Sequence, residues 1–300
     1  MKNWRRGFHL VLGNTFTLLV TYFLLSNQAK VDIRYALFSR VVTRQEFLSL
    51  KDSILIDKKI IKKKIYNKYQ TIDSLSFQFK IYNVLDFFEP YKSSYGCGEF
   101  AYNLDLNINN VLKGNGCCSD FSQVFMAICN QNKLNVCEIN NSTHTFNEVS
   151  DFDNKKKIWI DAENKLFAKD ENGNFLSTIE IYDNFKLGNK ILLYTLGNDL
   201  ELTKIDSSKL FTKKSFNFLI LTNIKDVLYE DEISKQYNFL PKDLINTILI
   251  VKYKYPRYFI FDDSGEFIIR LQNIKNIFLF YIIFLLSFNF LLYKLLFKKN

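Results

Sequence analysis

The chain has 300 residues, 48% of them hydrophobic, with 40 Lys and Arg against 31 Asp and Glu for a formal net charge of +9. That length allows one sizeable core with elaborations, and the composition shows no internal repeat, no Gly/Ser linker and no low-complexity tract. The charge is diffuse except for DKKIIKKKIYNK (Asp57–Lys68), which reads as a solvated helix face, with attraction to anionic lipid or acidic glycan as the lesser reading.

The first element is FHLVLGNTFTLLVTYFLL, residues 8–25, a run without Asp, Glu, Lys or Arg behind Lys2, Arg5 and Arg6. It is near the length needed to cross a hydrocarbon core. A cleaved signal peptide competes with an uncleaved signal anchor, but Ser26-Asn27-Gln28-Ala29 makes a poor small-residue cleavage site, which favours the anchor. A second such run, Asn276–Tyr293, is almost all Phe, Ile and Leu and is closed by Lys294, Lys298 and Lys299, predicting a transmembrane helix over 276–297. Basic residues flank the outer ends of both runs, so the positive-inside rule predicts a double-pass topology. The chain between them, about residues 27–273, is then extracytoplasmic. A nucleic-acid partner is not expected there; the lipid bilayer is.

Between the spans, Thr43 and Glu46 have capping-box spacing and Val42 with Phe47 fits a hydrophobic staple, so a helix is predicted to start here. Phe47, Leu50, Ile54, Ile61 and Ile65 continue it as a basic helical stripe. Residues 71–110 are mixed in character. Gly114 and Gly116 then permit a tight turn before Cys117-Cys118, and Phe121, Val124, Phe125 and Ile128 lie on one face of a helix starting at Cys118. Leu134–Ile139 reads as a strand. His144–Phe152 and Lys157–Ala162 read as two strands of a hairpin. Farther on, Asn217–Thr222 and Ile248–Tyr253 read as strands, and Tyr258–Leu271 as a hairpin over Asp263-Ser264-Gly265. The whole of 27–175 is expected to form the exported domain, and 176–272 a β-rich extension of unassigned role.

Candidate chemistry gathers around Cys118. A cysteine at a helix start has its thiolate favoured by free backbone N–H groups and the helix dipole. A nucleophilic thiol needs a base, and the chain has only two histidines. His9 lies in the first apolar run, which leaves His144. A base is commonly oriented by a carboxylate, and Asp161 ends Ile158-Trp159-Ile160 in the next strand. For a two- or four-residue hairpin loop, paired residue numbers sum to an odd number. His144 and Asp161 sum to 305, so they share a face and lie opposite or diagonal, within side-chain reach. A three-residue loop separates them onto opposite faces.

These three blocks, GNGCCSDFSQVF (Gly114–Phe125), HTFNEV (His144–Val149) and WID (Trp159–Asp161), resemble the transglutaminase-like superfamily over about residues 90–165. The resemblance implies an α+β fold, a papain-like core in which a nucleophile helix packs on an antiparallel β-sheet. It implies Cys118 as nucleophile, His144 as general base and acid, and Asp161 as orienter, with no metal or cofactor. The substrate class implied is amide or peptide bonds of exported proteins or peptides at the cell surface, split or transferred through a thioacyl intermediate. Two departures stand out: Phe146 replaces the usual tryptophan, and Cys117 precedes the matched cysteine, so the register is open by one.

Other readings stay beside this one. Cys117, Asp120, Asn147, Glu148 and Trp159 are candidates for supporting positions, Trp159 more as sheet packing than as a substrate platform. Cys129 and Cys137 are core residues or a disulfide between helix and strand; Cys97 is a loop thiol. A zinc site from Cys117, Cys118 and His144 has too few ligands and no C-x-x-C. The overlapping sequons at Asn140 and Asn141 matter only in a glycosylating host. The chief alternative function is a catalytically inactive relative serving as a membrane-tethered binding or assembly module. A channel or transporter subunit is weaker, since neither span carries an ionisable residue beyond His9.

Overall fold

A computed structural model describes residues 12–17, 27–49, 76–91, 104–141, 143–151, 156–197, 200–205, 217–240, 245, 248 and 258–297. The architecture is mixed α+β around a nine-stranded sheet. In chain order the elements are α1 (Asn27–Phe38), β1 (Ser39–Val41), α2 (Arg44–Ser49), α3 (Phe77–Asp86), α4 (Leu104–Leu112) and α5 (Cys118–Gln131). Then come β2 (Asn135–Asn140), β3 (Thr145–Asp151), β4 (Lys156–Asp161), β5 (Leu166–Lys169), α6 (Thr178–Leu187), β6 (Leu192–Leu196) and β7 (Leu202–Ile205). The chain continues through β8 (Leu219–Asn223), α7 (Ile224–Gln236), β9 (Tyr258–Phe261) and α8 (Glu266–Phe297).

The sheet runs β1-β9-β8-β2-β3-β4-β5-β6-β7. Every pairing is antiparallel except β1 with β9. Strands from residues 176–272 therefore do not form a separate layer. β8 and β9 join one side of the sheet and β6 and β7 the other, and the region also contributes the helices α6 and α7.

All seven positions of β3 are buried, so both faces of the sheet centre are covered. Val149, Ile158 and Ile160 pack with Phe121, Val124 and Phe125 of α5 and with Leu85 of α3. Their strand neighbours Phe146 and Trp159 pack instead with Ile179, Ile181 and Tyr182 of α6 and Phe47 of α2. The period-2 alternation of each strand thus sorts its side chains into two separate cores. Burying a large aliphatic or aromatic side chain stabilises by about 1.5–3 kcal/mol. Both cores together are what holds α5 and α6 against the strands that carry the site.

The expected start at Thr43 holds in detail. Thr43 N–H donates to Glu46 Oε2 at 2.8 Å, Glu46 N–H donates to Thr43 Oγ1 at 3.2 Å, and Val42 and Phe47 are buried in one cluster. Beyond Ser49 the predicted stripe, and with it the basic cluster 57–68, lies outside the described residues, as do Cys97 and the hairpin turn at 153–154.

One strand expectation is corrected. Tyr258–Leu271 is not a hairpin: β9 is followed by α8. Asp262 is the reason, since its carboxylate accepts N–H bonds from Ser264, Gly265 and Ile268. That closes a turn and satisfies amides of the new helix, so the apolar stretch after it continues as helix. Of the expected strand 248–253 only Ile248, which is helical, is described; the remainder lies outside the described residues.

Within α8, Glu266–Leu291 is long and apolar enough to cross a membrane. Its first turns dock through Phe267 and Leu271 against Ile220, Tyr258 and Ile260, and Arg270 pairs with Asp32 of α1. Past Leu271 large apolar side chains face outward, with Phe280 72% exposed. Of the first apolar run, residues 12–17 are helical, and the Asn289 side-chain amide of α8 donates to the Asn14 side chain. The rest of that run, His9 included, lies outside the described residues.

Candidate active site

The turn before Cys118 depends on both glycines, for different reasons. Gly114 ends α4 in the left-handed region, at φ 71°. Asn115 N–H reaches back to Asn110 O at 2.9 Å, closing a Schellman-type turn. Gly116 is a matter of space: a Cβ there would lie 3.1 Å from Phe121 and Val111 side-chain carbons and 3.2 Å from the Val111 Cα.

Cys117 is the N-cap of α5, in extended conformation. Its N–H donates to Asp120 Oδ2 at 3.1 Å, half of a capping box, and its Sγ lies 3.2 Å from Ser119 Oγ. The sulfur is buried, whereas Cys118, the first residue of the helix, is partly exposed. Burial pushes the Asp120 carboxyl up to about 6, with the bond from Cys117 N–H opposing the shift. Asp120 is therefore a helix cap. Phe121, Val124, Phe125 and Ile128 are buried as the helical period requires, and Asn130 and Ser122 are covered as well, so the helix is enclosed on nearly every side.

His144 is delivered by the β2–β3 turn. Asn141 Oδ1 accepts bonds from the N–H groups of Thr143 (2.8 Å) and His144 (2.6 Å), which fixes the backbone just before β3. The β3–β4 register pairs Asn147 with Ile160, so paired numbers sum to 307. His144 and Asp161 accordingly fall on one face in diagonal relation, as an Asp153-Asn154 turn predicts. His144 Nε2 lies 3.0 Å from Asp161 Oδ2.

Asp161 is fully buried, and Asn164 holds it through its N–H (3.2 Å) and its side-chain amide (2.8 Å). Burial favours the neutral acid, but His144 and these Asn164 donors outweigh it and keep the Asp161 carboxyl below its ordinary range. For His144, burial opposes charge on the ring. Asp161, then Glu163 and Cys117, outweigh it, and the ring is raised above its ordinary pKa.

Sequence reasoning missed Glu163. Its Oε2 lies 3.7 Å from His144 Nδ1. Cys118 Sγ, a ring nitrogen of His144 and a carboxylate oxygen of Glu163 all lie within 4.8 Å of one another, each residue partly exposed. The structure thus brings Cys118, His144 and Asp161 together and adds Glu163. No sequence pattern pointed to it, because Glu163 follows the end of β4. Asn164 and Asn141 were also missed; Asn141 is a turn former of the ordinary Asx kind and was visible as such.

The supporting candidates divide. The Asn147 side-chain amide donates to Ser122 Oγ at 2.9 Å and to Cys137 O at 3.3 Å, tying β3 to α5. Glu148 turns elsewhere: it accepts the Thr178 N–H at the start of α6 (2.8 Å) and pairs with Lys157 (3.1 Å). Trp159 is sheet packing, its ring centroid 5.6 Å from that of Phe146. Cys129 and Cys137 are fully buried thiols with no disulfide between them, and burial pushes Cys129 well above the ordinary thiol range. A cleft of about 750 Å³ lined by Asp170, Glu171, Glu180 and Asp183 contains none of the site residues.

Compared with family models, curated proteins and solved structures, the chain matches none.

Proposed function

We propose that the chain is a membrane-anchored cysteine enzyme of the transglutaminase-like type, acting on amide or peptide bonds of exported proteins or peptides. The observation that carries this reading is the convergence of the Cys118 sulfur, the His144 ring and the buried Asp161 carboxylate at one end of β3 and β4. Asp161 holds Nε2, so Nδ1 is the nitrogen left to exchange a proton with the thiol. The start of α5 adds the electrostatic preference for a thiolate.

In the first half-reaction the Cys118 thiolate attacks the amide carbonyl carbon and a C–S bond forms. The C–N bond then breaks as His144 gives its proton to the leaving amine. In the second half, water attacks the thioester, His144 accepts its proton, and the thiolate leaves a carboxylic acid product. A primary amine in place of water gives a new amide. Both routes balance without oxidant or metal.

The test is a mixture of glutamine-containing peptides incubated with the full chain and a fluorescent primary amine. Ammonia release or amine incorporation is expected, lost in Cys118→Ala and in His144→Ala. Activity that survives Cys118→Ala overturns the assignment. A thiol that reacts no faster than the buried cysteines points instead to the inactive binding or assembly module.

A further inference from the structure

Glu163 stands outside the Cys118-His144-Asp161 set, yet it completes a different constellation with the thiol and the ring. Thiolate, imidazole and carboxylate are the ligand types that Zn²⁺ takes in tetrahedral sites with one open position. Here Cys118 comes from the start of α5, His144 from the start of β3 and Glu163 from the turn after β4, with ligand atoms within 4.8 Å of one another. Zinc–ligand distances of about 2.0–2.3 Å place tetrahedral ligands about 3.5 Å apart, so side-chain adjustments of about 1 Å close the set. All three residues are partly exposed, which gives an ion a way in.

The surroundings fit as well. Metal-binding histidines almost always donate their other ring N–H to a carboxylate, which fixes the tautomer. Asp161 stands in that place, 3.0 Å from Nε2, and Asn164 anchors it in turn. Nδ1, the nitrogen facing Glu163 at 3.7 Å, is then the ligand atom. Glu163 takes the place of Cys117 as the third protein ligand, and the fourth tetrahedral position stays open.

We propose that Cys118, His144 and Glu163 form a Zn²⁺ site that reversibly blocks the nucleophile. The blocking role rests on the functional reading above; ion binding does not. An ion ligated by the thiolate removes its nucleophilic lone pair and occupies Nδ1, so thiol and base are silenced together. Chelation restores both.

The experiment uses the full chain in detergent, stripped with EDTA and titrated with Co²⁺, then with Zn²⁺. The expected result is one ion per chain, a thiolate-to-cobalt charge-transfer band displaced by Zn²⁺, and protection of Cys118 from iodoacetamide that EDTA reverses. The band disappears in Cys118→Ser and persists in Cys117→Ser. Glu163→Gln weakens Zn²⁺ at least tenfold while Cys118 still alkylates. No cobalt–thiolate band together with no protection of Cys118 overturns the site, as does a band that survives Cys118→Ser or a Zn²⁺ affinity unchanged in Glu163→Gln. If Zn²⁺ binds as described but amide chemistry is absent from the stripped protein, the site stands and the blocking role falls. If amide chemistry is present and Zn²⁺ neither binds nor protects, the enzyme reading stands and this one falls.

Discussion

His144 Nε2 and Asp161 Oδ2 lie 3.0 Å apart across the diagonal of the β3–β4 pair, one partly open to solvent and the other fully buried. A buried carboxylate facing a histidine shifts both groups toward the charged pair. His144 is raised and Asp161 lowered. His144 contributes stability that is full below its unfolded value near 6.5 and is lost as pH rises through the raised folded value. Asp161 contributes stability present above its unfolded value near 3.8 and lost as pH falls through the lowered one.

Replacing Asp161 by Asn keeps the shape and removes the charge. The ring then loses its main source of upward shift, and the thiolate–imidazolium pair becomes less populated near neutral pH. Iodoacetamide labelling of Cys118 should slow at pH 7. The rate should recover at higher pH. An unchanged pH profile contradicts this relationship.

Asn164→Ala removes a side-chain donor from Asp161 while the Asn164 backbone N–H remains. Leaving a buried carboxylate short of a donor costs about 1–3 kcal/mol. Chemical denaturation should show that loss, together with slower Cys118 labelling. Loss of stability with labelling untouched would reduce Asn164 to a purely structural role.

Two glycine substitutions separate the site from the scaffold. Gly116→Ala forces a methyl against the Val111 backbone and the Phe121 ring, so about 1–3 kcal/mol should be lost and α5's start displaced. Gly188 sits at φ 72° with open space around it. Gly188→Ala should cost about 1–2 kcal/mol from backbone strain alone. Labelling of Cys118 in the folded protein should fall in the first and hold in the second.

The Asp120 carboxyl, raised to about 6 by burial, gives a second pH signature. Its folded pKa exceeds its unfolded value of 3.8, so its contribution is full below about pH 4 and is lost as pH rises to about 6. Relative to Asp120→Asn, wild type should lose roughly 2–3 kcal/mol between pH 4 and 7. Parallel stability curves for the two proteins would refute the assignment.

Much of the site was legible because its signals are local. The Thr43/Glu46 spacing, the helix period from Cys118 and the odd sum of 144 and 161 each depend on a few neighbouring residues. Glu163 was illegible because a turn after a strand imposes no period. The placement of β8 beside β2, with paired residues 80 to 86 positions apart in the chain, is a long-range pairing that no local pattern encodes. α6 is different: Ser177-x-x-Glu180 and Gly188 were readable signals for its two ends, and the structure uses both. The hairpin expected over Asp263-Ser264-Gly265 failed because the turn signal was correct but Asp262 turns the chain into a helix.

The most direct test of the central claim is the rate of iodoacetamide labelling at each cysteine near pH 7, mapped by peptide mass in wild type and in His144→Ala. Cys118 is expected to label faster than Cys117, Cys129 and Cys137, and His144→Ala to slow it at least tenfold. Slow, uniform labelling of all cysteines, or a fast Cys118 indifferent to His144, would contradict it.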